Sequence, residues 1–449
     1  MNAFEIIKKL HENNFEAYIV GGYVRDFLLK KPVKDIDITT NAYPDMIYKI
    51  FKDYTKVYFV GRSFGVTLVN NIEVATYRKD KYFGLSDKNV KVTFADTLEE
   101  DLERRDLTIN SLVLDIRNNK IIDFHNGIND LENKIIRFIN SPKDRIWEDP
   151  NRIVRACRFL AKIDGKFEDN TKRALKRYCK YVKKYVDPER LRLEILKSME
   201  IQKSSKFFLS LYDIGCLRYI FPYLHDCYGH DHGHHHGEDI FTHHMLCGDH
   251  ISTRNKLLKL SGYLHDIGKP KTYKLNKETN TYHFRKHEEV GANVLKNHLI
   301  KNLKFSCYEG EYISNIVRFH MRIDSGKITP KSVRKLLKEL DDYKISYKDI
   351  LRIKIADRIS NLKRTPFTIS EIKRMLKSFN IELSNDKPFL KLDINGNDVM
   401  ELTGLNPGPE IGKILEYLMG KVLDDPELNN KDILKEIIKE YKGESTCQF

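Results

Sequence analysis

Along the first 140 residues the apolar positions arrive in short bursts with a period of two, the pattern of half-buried strands. Residues 17–20, 34–39, 57–60, 66–69 and 73–78 each read as a strand, with Asn70-Asn71 as a hairpin turn before the last. Residues 1–14 carry helical spacing and read as a short amphipathic helix, not a signal peptide. Residues 77–92 show little periodicity and many charges and aromatics, which predicts a mobile loop beside the sheet. From residue 141 onward the spacing is helical almost throughout. Strands first and helices afterwards make the fold class α+β. The domain organisation this predicts is a head over 1–140, a helical neck and body over 141–225, a His-rich linker over 226–238, a helical module over 239–365 and a helical tail over 366–449.

Chemistry is concentrated where this pattern is interrupted. In 34–39 the acids Asp35 and Asp37 alternate with Ile36 and Ile38, so both carboxylates leave one face, roughly 6.6–6.8 Å apart along the backbone. A pair so placed suits Mg²⁺, which takes oxygen ligands and completes its shell with substrate phosphates. The alternative is a pair of surface acids on an edge strand. Upstream, Gly21-Gly22 permits a sharp turn with bare backbone N–H groups, and Arg25 and Asp26 follow in a helix whose start favours phosphate.

Residues 98–112 (LEEDLERRDLTINSL) bring Arg104, Arg105, Asp106, Thr108, Asn110 and Ser111 together, either as a nucleotide-binding cluster or as a capped surface helix with a Glu100–Arg104 pair. Gly127 and Asp130 mark a turn in 123–134. In 147–163 Asp149 suits an N-cap and Pro150 the first helical position, with Ile153, Ala156, Cys157 and Leu160 as the buried stripe. Arg152, Arg155 and Arg158 follow at spacing three. Asp149 is either only a cap or, with Arg152, an acceptor beside a donor fork. That pair matches the edge of cytosine or adenine and leaves a charge unpaired against uracil or guanine.

Composition narrows the partners. The chain has 449 residues, 78 Lys+Arg against 64 Asp+Glu and a net charge of +14, which favours a polyanion such as nucleic acid. Seven scattered cysteines with no CxxC pair point to reduced thiols and a cytoplasmic location. No apolar run is long enough to span a membrane. In 172–199 lysines and arginines interleave with Tyr178, Tyr181 and Tyr185, as on a backbone-gripping surface or, equally, a solvated helix with tyrosines in its core.

The segment HDCYGHDHGHHHGE (225–238) reads as a flexible linker with incidental, weak metal affinity, since its histidines lack ligand spacing. Beyond it His243, His265-Asp266, His287, His320 and Asp357 recur on separate helical segments, able to converge as a mixed nitrogen–oxygen metal site. His244 and His250 read as bystanders. Gly404–Gly412 (GLNPGPEIG) sets a turn before a helix over 413–422.

In order and spacing, GGYVRD, DID, the long loop, RRDLTINSL, DFHNGINDL and EDPNRIVRACRF resemble the class II tRNA nucleotidyltransferases, CCA-adding relatives of the polymerase-beta superfamily and of bacterial poly(A) polymerases. The LHDIGK region resembles the HD-superfamily phosphohydrolases. The first resemblance implies a polymerase-beta-like head with a small mixed sheet, followed by helical neck, body, HD and tail domains, the tail gripping tRNA. It implies that Asp35 and Asp37 hold two catalytic Mg²⁺ ions and that Gly21, Gly22 and Arg25 hold the triphosphate. Arg104, Arg105, Asp106 and Asn110 would meet ribose and phosphates, Asp149 and Arg152 would read the base, and Arg155 and Arg158 would add base or phosphate contacts. Leu107, where an aromatic is common, and Asn151 are slight departures, both away from the chemistry.

The second resemblance implies a first divalent transition metal on His243, His265, Asp266 and Asp357, His287 and His320 as candidates for a second, and Lys269 near a phosphate. The expected activity is addition of CCA to tRNA from CTP and ATP, with no membrane and no obligate protein partner. A poly(A) polymerase, a partial CC- or A-adding enzyme and a chain acting mainly through its HD module are the alternatives.

Overall fold

In the computed structural model the described residues are all but Lys34 and positions 62–63, 86–89, 233–236, 279–280, 324–327, 385–388 and 446–449, with the side chains of 276 and 442–445 also outside the description. They divide into two units, one of Met1–Asp226 with Leu299–Phe305, the other of Cys227–His298 with Ser306–Phe449.

The first unit is built on a seven-stranded mixed sheet of order β3-β4-β5-β2-β1-β8-β9. Its strands are β1 (Ala17–Val20), β2 (Asp37–Thr40), β3 (Val57–Gly61), β4 (Val66–Val69), β5 (Ile72–Thr76), β8 (Val113–Asp115) and β9 (Lys120–Ile122). β1 and β2 run antiparallel with Ile19 opposite Ile38 and Val20 opposite Asp37, while β2 and β5 are the parallel pair, with Asp37 opposite Glu73. The period of two sends Ile19, Ile38 and Val74 into the core and leaves Asp37 and Glu73 exposed.

Two expectations are corrected here. The strand begins at Asp37, so Asp35 stands on the chain leading into it; Lys34 lies outside the described residues. Among the described residues of 77–92, where a loop was expected, Arg78–Tyr82 form β6, which pairs antiparallel with β7 (Val90–Phe94).

Behind the sheet the chain becomes helical. Pro142–Glu148 and Asn151–Ile163 meet at Asp149 and Pro150: Asp149 stands in extended backbone and its Oδ1 accepts the Asn151 N–H at 3.0 Å, capping the start of the second helix as expected, with Pro150 in helical backbone after it. The buried side of the second helix is Ile153, Val154, Ala156, Cys157 and Ala161, with Leu160 only half-buried.

The second unit is a helical assembly. Ile240–His250, Lys256–Gly262, His287–Asn297, Cys307–Phe319 and Tyr347–Ser360 carry a core that includes Phe241, Leu260, Leu295, Ile316 and Ile353. Pro330–Asp342, Ile369–Ser384, Gly396–Thr403, Pro409–Asp424 and Lys431–Ser445 follow. No described helix is long and apolar enough to cross a membrane.

Candidate active sites in the two units

A cleft of about 1230 Å³ opens in the first unit, and the residues expected to meet metal, nucleotide or base line it, whereas Thr108, Ser111, Gly127 and Asp130 do not. Gly21 makes the turn out of β1 with φ 74°, and its N–H donates to the Leu112 carbonyl at 3.0 Å. A β-carbon at Gly21 would press on Arg105 Nη1 at 3.2 Å, so glycine serves both the backbone angle and the close approach.

Gly22–Leu28 then forms a helix that turns Arg25 into the cleft wall. Arg25 donates twice to Asp26 at 2.9 Å and through Nη1 to Asn110 Oδ1 at 2.6 Å. Asn110 in turn donates to Asp106 Oδ1 at 3.1 Å, and Arg155 Nε donates to Asp106 Oδ2 at 2.8 Å. Burial alone would raise the Asp106 carboxyl, but the Arg155 guanidinium and the Asn110 amide hold it well below the usual carboxylate range. Asp106 therefore stays ionised and fixes both Asn110 and Arg155.

Arg104 and Arg105 do not follow the expected Glu100–Arg104 pairing. Asp101, fully buried, takes Arg104 at 2.8 Å and Arg105 at 3.5 Å, and Glu100 pairs with Lys79 instead. Around the Phe159 ring stand three guanidiniums, Arg25 at 4.9 Å, Arg155 at 5.6 Å and Arg158 at 4.2 Å from its centroid. This concentrates positive charge along the cleft wall.

Asp35 and Asp37 lie in the same cleft. Asp37 is open to solvent on the cleft side, yet desolvation by the surrounding walls, then Glu73, pushes its carboxyl up, and Asp35 adds to this against the pull of Arg105. A carboxylate that resists ionisation because others crowd it fits a divalent cation, so the acids present suit Mg²⁺. Glu73 was missed from sequence. The signal was there, since Glu73 alternates with Ile72 and Val74 as Asp37 does with Ile36 and Ile38.

Asp149 and Arg152 both line the cleft, and each side chain is held by other residues. Arg190 grips Asp149 through two bonds of 3.1 and 2.7 Å. Arg152 donates to Glu148 Oε2 at 2.5 Å and to the carbonyls of Arg145 and Arg104. The β6–β7 hairpin adds Asp80 and Tyr82 to the cleft.

The second unit holds a buried cluster in which His243, His265, Asp266, His287 and His320 are each less than a tenth exposed, with Asp357 half-buried. Nδ1 of His265, His287 and His320 lies 2.9, 2.8 and 2.7 Å from the carbonyls of Gly262, Phe284 and Val317. Those carbonyls can only accept, so each Nδ1 carries the proton and each Nε2 presents a lone pair. His287 Nε2 faces Asp266 Oδ1 at 3.1 Å and His320 Nε2 faces it at 3.4 Å. These Nε2 atoms, that of His265, and Asp266 Oδ1 are buried without a hydrogen bond among the described residues. Lone pairs set against a carboxylate, each ring oriented from behind by a carbonyl, are the arrangement of a metal site. His243 meets Asp357 Oδ1 at 3.0 Å through Nε2 and Glu238 Oε1 at 2.9 Å through Nδ1.

Donor atoms of three overlapping triads lie within 4.8 Å of one another: His243, His265 and Asp357; His265, Asp266 and His320; and His232, His243 and Asp266. The third overturns the linker reading of 226–238, because His232 and Glu238 are both part of the buried cluster. Nor is His244 a bystander: its Nε2 accepts the backbone N–H of Asp266 at 2.9 Å, and burial keeps the ring neutral for that role. A side chain at Gly268 would run into the His287 carbonyl, so glycine there lets the His265-Asp266 turn lie against the helix that His287 begins.

Residues 17–137 match the poly(A) polymerase head domain, 166–228 the probable RNA and SrmB-binding site of polymerase A, and 240–362 the HD domain. A CCA-adding enzyme of Ligilactobacillus salivarius is 28% identical over 98% of this chain and 96% of its own length. One from Enterococcus faecalis is 40% identical over 44% of this chain and 48% of its own. Among solved structures, the Bacillus stearothermophilus CCA-adding enzyme in complex with CTP has a TM-score of 0.70 at 22% identity, over 100% of this chain and 98% of that one. The Thermotoga maritima CCA-adding enzyme complexed with tRNA has a TM-score of 0.52 at 20% identity, over 97% and 94%. With head, RNA-binding and HD regions in that order and relatives matching end to end, the chain belongs to the CCA-adding tRNA nucleotidyltransferase family.

Proposed function

We propose that the head cleft adds CCA to the 3′ end of tRNA, one nucleotide at a time from CTP and ATP, in the cytoplasm and without a nucleic-acid template. The observation that carries this reading is a single cleft lined by Asp35 and Asp37 together with Arg25, Arg104, Arg105, Asp149 and Arg152.

Gly21, Gly22 and Arg25 take the triphosphate, and Arg104, Arg105 and Asn110 meet ribose and phosphate oxygens. Asp35 and Asp37, with Glu73 beside them, hold divalent cations, Mg²⁺ by their oxygen-only character. Bound there, such ions supply acidity to the attacking hydroxyl and neutralise charge on the leaving oxygens. The tRNA 3′-oxygen forms a bond to the α-phosphorus, the bond to the bridging oxygen breaks, pyrophosphate departs and the hydroxyl proton passes to solvent.

Asp149 accepts from the N4 amine of cytosine or the N6 amine of adenine. Arg152 donates to the ring acceptors by exchanging bonds it now makes to Glu148 and to carbonyls. Arg155 and Arg158 act as frame through Asp106 and Glu194. The basic neck helices grip tRNA by their charge, and the tail, which carries more acids than bases, is assigned to tRNA by its likeness to the family and not by charge.

A second activity, hydrolysis of phosphate esters at RNA ends, fits the HD cluster, whose imidazole-rich donors suit a transition ion better than Mg²⁺.

Pyrophosphate release tests the first reading. With tRNA lacking its CCA end, CTP supports release, ATP adds to it once two cytidines are in place, and UTP and GTP do not. Equal release from all four nucleotides contradicts the base-reading assignment.

A further inference from the structure

The His-rich segment delivers one particular side chain to the HD cluster. Its base is closed by two bonds: the Gly229 N–H donates to Asp239 Oδ2 at 2.8 Å, and the Ile240 N–H donates to the His230 carbonyl at 3.1 Å. From this closed loop His232 reaches inward and is 3% exposed, whereas His230, two residues earlier, stays on the surface. The His232 ring lies 4.6 Å from that of His243, centroid to centroid, and His232 Nε2 is 3.2 Å from Asp266 Oδ2.

The donor atoms of His232, His243 and Asp266 lie within 4.8 Å of one another. Ligand atoms about 2.0–2.2 Å from one ion stand roughly 3–4 Å apart, so a small inward adjustment brings these three onto a shared cation. Glu238, from the far side of the same segment, orients His243 through Nδ1 at 2.9 Å, the second-sphere role a carboxylate plays behind a metal-bound imidazole.

Lys269 bears on the same position. Its ammonium is 2.6 Å from Asp266 Oδ2 and 2.5 Å from His232 Nε2, so it donates into the two lone pairs a cation would take. An ammonium and a divalent ion cannot both hold that place.

We propose that His232 is a metal ligand of the HD centre, sharing a divalent transition ion with Asp266 and His243, and that Lys269 competes with the ion for the same two atoms. This rests on the HD cluster being a metal site and adds a ligand from outside the helical core. It also assigns Lys269 two positions: on Asp266 without the ion, and released toward an anionic substrate when the ion is bound.

Sub-stoichiometric Co²⁺ binding to the full chain tests this, read by isothermal titration and by X-ray absorption of the imidazole count around the ion. His232→Ala is expected to weaken binding by about 10–100-fold and to remove one imidazole from the count. Lys269→Met is expected to tighten binding, and His230→Ala to change neither readout. Far-UV circular dichroism with chelator present checks that each variant is folded, and the Lys269→Met result stands independently if His232→Ala is not. Unchanged affinity and count in His232→Ala, or an equal loss in His230→Ala, overturns the His232 assignment. Failure of Lys269→Met to tighten binding overturns the competition. Failure of the parent chain to bind Co²⁺ at the cluster overturns both this proposal and the HD metal reading beneath it.

Discussion

Asp35→Ala and Asp37→Ala each reduce nucleotide transfer by at least about 10³-fold, while hydrolysis by the HD centre is unaffected. The size follows from the chemistry. A bound divalent ion stabilises developing charge by several kcal/mol, and each 1.36 kcal/mol is about tenfold in rate. No protein nucleophile stands in reserve, so losing the ion leaves only positioning. The two variants have different side effects. Asp37 is opposite Glu73 in the parallel pair, and its carboxyl is raised by desolvation and by that neighbour. Removing Asp37 therefore relieves repulsion as well as removing a ligand, and Asp37→Ala is expected to be at least as stable to heat as the parent chain. Single-turnover extension of a tRNA lacking its CCA end measures the rate; thermal unfolding with chelator present measures the stability. Transfer that persists within tenfold in both variants shows that the cation is held elsewhere.

Asp149→Ala lowers kcat/KM for CTP and ATP by about 10²-fold, equivalent to a lost charge-assisted hydrogen bond of about 1.5–3 kcal/mol. Its larger effect is on discrimination. In the parent chain uracil and guanine turn a carbonyl toward an acceptor-only carboxylate, setting acceptor against acceptor, a mismatch that rejects a base strongly. Without the carboxylate that penalty is gone, so UTP enters at a rate close to that of CTP. Arg190 makes the result sharper, because it holds Asp149 by two bonds and is left with its charge exposed to the pocket in the variant. A cation there welcomes the O4 of uracil. Competition between labelled CTP and UTP in the same tube measures the ratio, and an unchanged preference for CTP assigns base choice to other residues.

The head site was legible because its chemistry is carried by short ordered motifs and by alternation. Gly21-Gly22, Arg25 and Asp37 sit where a period of two and a turn put them, and the residues expected to meet metal, nucleotide or base share one cleft. What was hidden has particular physical causes. In β6 half-buried Arg78, Asp80 and Tyr82 alternate with the exposed Lys79 and Lys81, so both faces are polar and a search for apolar alternation sees a loop. The arginine that holds Asp149 is 41 residues away in another helix, beyond the reach of any local spacing. Asp101 displaced Glu100 as the partner of Arg104 because it is the acid that points into the core. In the His-rich run composition concealed position: among its described histidines His232 is buried against Asp266 while His230 is exposed, and nothing in the spacing of the run singles out His232.

A cleft that builds CCA and nothing longer or shorter is recognised by the length and sequence of its product. A tRNA ending before CCA is incubated with CTP, with ATP, or with both, and the extended strand is sequenced. The account predicts two cytidines with CTP alone, no efficient addition with ATP alone, and growth that stops after C, C and A when both are present. Long adenosine tracts from ATP alone, or strict dependence on a tRNA already ending in CC, would contradict it.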